Sequence, residues 1–194
     1  MIKITLFGEA NSGKTSALRC LIYLLSGNGT SKLLDVKKNW SIDQVLQKQK
    51  DVRVAFDYAT SSKAIAVCTA GDDCSTIEHN YQYFDKKSVR LAHGGNFKMP
   101  KIPDVAISAC SSDMISEEQY QTTTRLKKDL TVNIWLKIEH LYSMNLPIID
   151  DDVIEDIKHN NIILPKDAAN LSNVKRSIAV AKFIKTQIDE LIKL

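Results

Sequence analysis

The eight residues Gly8-Glu9-Ala10-Asn11-Ser12-Gly13-Lys14-Thr15 fit the spacing Gly-x4-Gly-Lys-[Ser/Thr] at every fixed position, and they constrain this chain more than any other stretch. Two glycines around variable residues let the backbone turn tightly and aim successive N–H groups at one spot. Lys14 adds a positive charge there, and Thr15 adds a hydroxyl able to ligate a metal ion. Such a loop works only between a strand and a helix. Upstream, Ile2 to Phe7 alternates apolar and polar residues as a strand does. Downstream, Ala17, Leu18, Leu21, Ile22 and Leu25 recur at helical spacing until Ser26-Gly27-Asn28-Gly29 ends the run. A helix opening at Gly13 brings its positive dipole end to the same place. The pattern therefore predicts a cradle for a phosphate chain.

On these residues the chain resembles the P-loop NTPase superfamily. The resemblance implies a three-layer α/β fold of about five strands, mostly parallel with one antiparallel strand, in a single domain spanning residues 1–194. It implies that Gly8, Glu9, Ala10, Asn11, Ser12, Gly13, Lys14, Thr15 and Ser16 hold a nucleoside triphosphate. Lys14 would act on the β- and γ-phosphates as a catalytic residue, and Thr15 would ligate Mg²⁺. The activity implied is Mg-dependent triphosphate binding with slow hydrolysis, by an NTPase or nucleotide switch. The motif covers eight residues; it names a ligand and not a job.

Two strand-like runs follow, Val52 to Phe56 and Ala64 to Cys68, joined by seven residues. So short a link allows a hairpin but no parallel crossover, which needs about a dozen residues. If the second run lies parallel to the first strand of the chain, its carboxyl end carries Gly71, Asp72 and Asp73 to the ligand side, while Asp57 falls at the far edge. Asp72 and Asp73 are therefore the expected acids, holding Mg²⁺ and orienting water, and the Gly71 N–H is expected at a γ-phosphate.

The order of loop, helix, strand pair and Thr69-Ala70-Gly71 resembles small Ras-like GTPases, with two departures. Cys68 stands where their Asp-x-x-Gly acid belongs, and no Asn/Thr-Lys-x-Asp string follows a later strand. ATP is accordingly expected, with GTP less favoured. Two other readings stay open. One is a small-molecule or nucleoside-phosphate kinase, against which stands the scatter of the five arginines, Arg19, Arg53, Arg90, Arg125 and Arg176. The other is a non-hydrolysing module whose loops at residues 30–40 and 111–129 order around nucleotide to meet a protein partner.

Elsewhere, Ser41 and Gln44 sit in capping-box positions for a short helix running to Gln49. Ser75 and Glu78 do the same for a helix carrying Ile77, Tyr81 and Phe84, and residues 86–103 read as irregular. Asp104 to Cys110 reads as a buried parallel strand that delivers Ser111, Ser112 and Asp113 to the ligand side. The polar stretch after it, to Asp129, is placed to be a lid, with Arg125 as a candidate arginine finger. Leu130 to Asn145 reads as a broad apolar helix, Leu146 to Ile149 as a short strand, Asp150 to Asp152 as a helix start, and Ser172 onward as the last helix.

With 44% hydrophobic and 25% charged residues the chain is expected to be globular, and its net charge of +3 is too small to indicate nucleic acid. No apolar run reaches the roughly 18 residues of a membrane span. A cytoplasmic protein is expected, with Cys20, Cys68, Cys74 and Cys110 as reduced thiols.

Overall fold

A computed structural model describes residues 1–34, 41–48, 50–70, 88–90, 96–98, 102–111, 133–144, 146 and 148–193. Five strands form one mixed sheet in the order β2-β3-β6-β1-β7. They are β1 (Ile2–Gly8), β2 (Arg53–Asp57), β3 (Ala64–Cys68), β6 (Val105–Ser111) and β7 (Asn133–Lys137). β1 runs parallel to both β6 and β7, and β3 runs parallel to β6. The hairpin partner β2 is antiparallel to β3, in register from Arg53↔Cys68 to Asp57↔Ala64. A separate two-stranded sheet joins β4 (Ser88–Arg90) to β5 (Asn96–Lys98), within the stretch expected to be irregular.

Alternation along each strand sorts the side chains between the two faces. Ile4, Leu6, Val54, Phe56, Ile65, Val67, Val105 and Ile107 share one cluster with the helices. Phe7, Ala55, Ala64, Ala66, Cys68, Ala106 and Cys110 form the other, in which small residues predominate. Among the described residues the helices are α1 (Lys14–Leu25), α2 (Ile42–Leu46), α3 (Ile138–Ser143), α4 (Asp151–His159), α5 (Pro165–Ala168) and α6 (Leu171–Ile192). Those packed on the sheet lie on the face with the large residues, where α6 runs along α1. The helix expected after Ser75 falls outside the described residues, as do the expected lid and Arg125.

The hairpin argument holds: Asp57 lies at the end of the sheet opposite Gly8. Ser41 and Gln44 make their capping box, although α2 ends at Leu46. The loop after α1 leans on β2, with Leu33 bridged to Phe56 and Leu34 N–H donating to the Ala55 carbonyl at 2.8 Å. The Asp triplet opens α4 as expected, and Lys182 and Lys175 of α6 reach Asp150 at 3.5 Å and Asp151 at 4.0 Å.

Two assignments between residues 130 and 149 are corrected. Leu130 to Asn145 is not a single helix, because Asn133–Lys137 is the edge strand β7 and only Ile138–Ser143 is helical. No strand forms among the described residues of 146–149. Apolar residues on both sides of Lys137 imitate a helical period, but β1 offers a bare parallel edge that a β-branched and aromatic segment satisfies. Trp135 pairs with Thr5 and sets its ring edge-on to Phe7, with centroids 6.3 Å apart.

Cys20, Cys68 and Cys110 are buried and unbridged. Burial pushes the Cys20 thiol up to about 12 and Cys68 in the same direction, so neither becomes a thiolate at neutral pH. Iodoacetamide at about pH 8 is expected to leave both unmodified in the native protein and to label them after denaturation, as read by mass spectrometry. Native-state labelling at the rate of a free thiol would contradict this burial.

No helix among the described residues is long and apolar enough to cross a membrane.

Candidate functional site

Parallel strands place their carboxyl ends on one side, and the loop leaves β1 there at Gly8, whose register partner is Ser111 of β6. The loop turns through Asn11 at φ 60° and Gly13 at φ 89°, and α1 begins at Lys14. Over it lies a cavity of about 220 Å³ lined by Ala10 to Ser16, by Thr69, Ala109 and Ser111, and by Leu164, Lys166 and Asp167. The expected loop residues thus come together on one concavity, joined on its rim by residues from the ends of β3 and β6 and from α5.

Lys14 arches over its own loop. Its Nζ donates to the Gly8 carbonyl at 2.8 Å, the Glu9 carbonyl at 2.6 Å and the Ser12 Oγ at 3.3 Å. Beneath the loop stands α3. The Glu9 N–H donates to Glu139 Oε1 at 2.7 Å, and the Tyr142 hydroxyl donates to the Ser12 carbonyl at 2.7 Å. The second Glu139 oxygen is buried and takes no hydrogen bond among the described residues.

On the far wall, Lys166 Nζ donates to Asn11 Oδ1 at 2.9 Å, and the Ser16 hydroxyl donates to the carboxylate of Asp167. Asp167 is only 9% exposed, so its carboxyl group lies inside the fold against the first turn of α1.

Gly8 is fixed by crowding. A Cβ there would meet the Ile138 side chain and lie 2.6 Å from a Glu139 carboxylate oxygen. Gly8→Ala is therefore expected to lower stability by about 1–3 kcal/mol, the usual range for overpacking, as read from urea unfolding. An unchanged midpoint would mean that α3 does not press on the loop.

Asp72, Asp73 and Gly71 fall outside the described residues. Thr69, just past β3, lines the cavity, so the chain does enter this site before reaching them. β3 is not the neighbour of β1, however, since β6 lies between them. Among the described residues no group of three or more His, Cys, Asp or Glu side chains could hold a metal. Ser111 reaches the cavity as expected, whereas Ser112 and Asp113 lie outside the described residues. Sequence reasoning missed Glu139, Tyr142, Lys166 and Asp167. The available signals were the acid and tyrosine three residues apart on one helical turn, and an acid following a Pro that opens a helix.

Comparison with protein families, curated proteins and solved structures returns no match.

Proposed function

We propose that this chain binds a Mg-nucleoside triphosphate, ATP before GTP, on the loop from Gly8 to Thr15 and hydrolyses it slowly, as a member of the P-loop NTPase superfamily. The observation that carries the reading is the convergence of the Gly13–Lys14 turn, the opening of α1 and the Lys14 ammonium on one cavity. The N-terminus of a helix with a lysine beside it favours an anion by its charge.

The cavity's size argues for which part of the ligand enters. At about 220 Å³ it is smaller than the roughly 300–1,000 Å³ that encloses a drug-sized molecule, so it suits the phosphate chain and leaves the nucleoside on the rim. Lys166, whose ammonium donates to Asn11 Oδ1 on the cavity wall, would meet the nucleoside there. Thr15 and Ser111 line the cavity and carry hydroxyl oxygens of the kind that suits Mg²⁺, which takes few protein ligands and completes its shell with phosphate oxygens and water. When bound, the metal supplies charge neutralisation between the β- and γ-phosphates. Thr15 would hold it, Asp72 or Asp73 would reach it through water, and Lys14 would leave its loop carbonyls for the phosphates.

The test is chemical. Mass spectrometry of small molecules released from the purified protein, followed by a phosphate-release assay with Mg·ATP and Mg·GTP, is expected to find bound nucleotide and slow turnover to diphosphate. Absence of binding to either nucleotide would overturn the proposal.

A further inference from the structure

Resting on the triphosphate reading above, we infer that Tyr142 is a positioning residue whose hydroxyl, by holding the Ser12 carbonyl, turns the Gly13 N–H toward the ligand.

The argument starts from the peptide unit. Its carbonyl and N–H lie in one plane and point in opposite directions. Tyr142 draws the Ser12 carbonyl back toward α3 at 2.7 Å, so the Gly13 N–H at the other end of that unit faces away from α3. Ser12 and Gly13 both line the cavity. Such a lock is needed here. Glycine takes positive and negative φ with similar ease, so the unit before Gly13, now at φ 89°, can rotate at little steric expense. With the unit turned over, a carbonyl oxygen would face the phosphates and repel them.

Three features make Tyr142 suited to this task. Its hydroxyl lies 2.8 Å from where a Gly13 Cβ would be, so it packs flush against the glycine. Its ring is held under the Arg176 guanidinium, 5.7 Å from the ring centroid. Burial pushes the phenol up to about 12, which keeps the hydroxyl a donor throughout the neutral range. The same helical turn grips the other end of the loop, where Glu139 accepts the Glu9 N–H and the Gly8 carbonyl of that unit is left to Lys14. One short helix thereby orients both peptide units at the ends of the loop.

Calorimetric titration of the full chain with Mg·ATP, alongside urea unfolding, tests the inference in Tyr142→Phe. The phenylalanine keeps the ring and its packing and removes one hydrogen bond, so binding is expected to weaken about five- to tenfold. The Gly13 amide resonance of the ligand-free protein is expected to move, and its response to Mg·ATP to shrink. Arg176→Gln loosens the ring without touching the hydroxyl and is expected to weaken binding about two- to fivefold, which keeps the test decisive should Tyr142→Phe fold poorly. A role in stability alone would lower the unfolding midpoint and leave the dissociation constant and the Gly13 response unchanged, overturning the inference. Lys14→Ala separates the two failures. If it loses Mg·ATP while Tyr142→Phe and Arg176→Gln bind normally, the triphosphate reading stands and the role of Tyr142 falls. If the wild-type protein itself binds no Mg·ATP, both fall.

Discussion

Lys14→Ala is expected to weaken Mg·ATP binding on the order of 100-fold while leaving the protein folded, because charge-assisted hydrogen bonds to phosphate contribute about 1.5–3 kcal/mol each. Lys14 Nζ is held by the Gly8 and Glu9 carbonyls and the Ser12 hydroxyl, all belonging to the loop that the ligand would occupy. The ammonium therefore already stands at the mouth of the cavity and needs no large movement to meet a phosphate. Its removal leaves carbonyls at a site that water can reach, so the penalty for stability is small, under about 1 kcal/mol. Calorimetric titration for affinity and urea unfolding for stability separate the two effects. An unchanged affinity in a folded variant would contradict the assignment of this loop.

The second large effect concerns Arg19, on α1 one turn past Thr15. Its side chain is fully buried, with Nε donating to the Ile162 carbonyl at 2.8 Å and Nη1 to the carbonyls of Lys48 at 2.8 Å and Lys50 at 3.4 Å. Desolvation by burial lowers its pKa, opposed in part by nearby groups that include Asp51. Replacing a buried ion pair by apolar residues is often neutral, but that rule assumes both partners can be exchanged. Here the partners are main-chain carbonyls, which no substitution removes. Arg19→Met is therefore expected to cost about 3–5 kcal/mol, from up to three unpaired carbonyls at about 1–3 kcal/mol each less the relief of desolvation. For a chain of this size that corresponds to a fall in melting temperature of roughly 6–20 °C. Calorimetric melting reads it, and a loss of under about 1 kcal/mol would show that the three carbonyls are satisfied in some other way. Because Ile162 lies just before α5, the same residue ties α1 to the wall that carries Lys166 and Asp167.

The fold was legible where local chemistry and long-range need agree. Alternation in Ile2–Gly8, the seven-residue link between two apolar runs and the apolar stretch after Asp104 dictate β1, the β2–β3 hairpin and β6, four of the five strands of the mixed sheet. The misreading of Asn133–Lys137 shows where this stops. Its identity as a strand comes from the open edge of β1, information that lies about 130 residues away in the chain. The candidate site divides in the same way. The loop is contiguous, so its spacing states its shape. Glu139, Tyr142, Lys166 and Asp167 act through backbone and side-chain groups distant in sequence, and periodicity assigned Tyr142 only to an apolar face. Arg19 entered the sequence reading only as one of five scattered arginines, although it stands as a cation amid Ala17, Leu18, Cys20, Leu21 and Ile22 in a helix buried nearly all round. What it bonds to had no sequence signal.

The central claim, that main-chain amides and one ammonium form an anion cradle at the end of β1, is tested most directly by following backbone amide resonances during titration with Mg·ATP. The account predicts saturable shifts concentrated at Gly13, Lys14, Thr15 and Ser16, with the far end of the sheet around Asp57 unmoved. Shifts absent from those four residues at saturating Mg·ATP would contradict it.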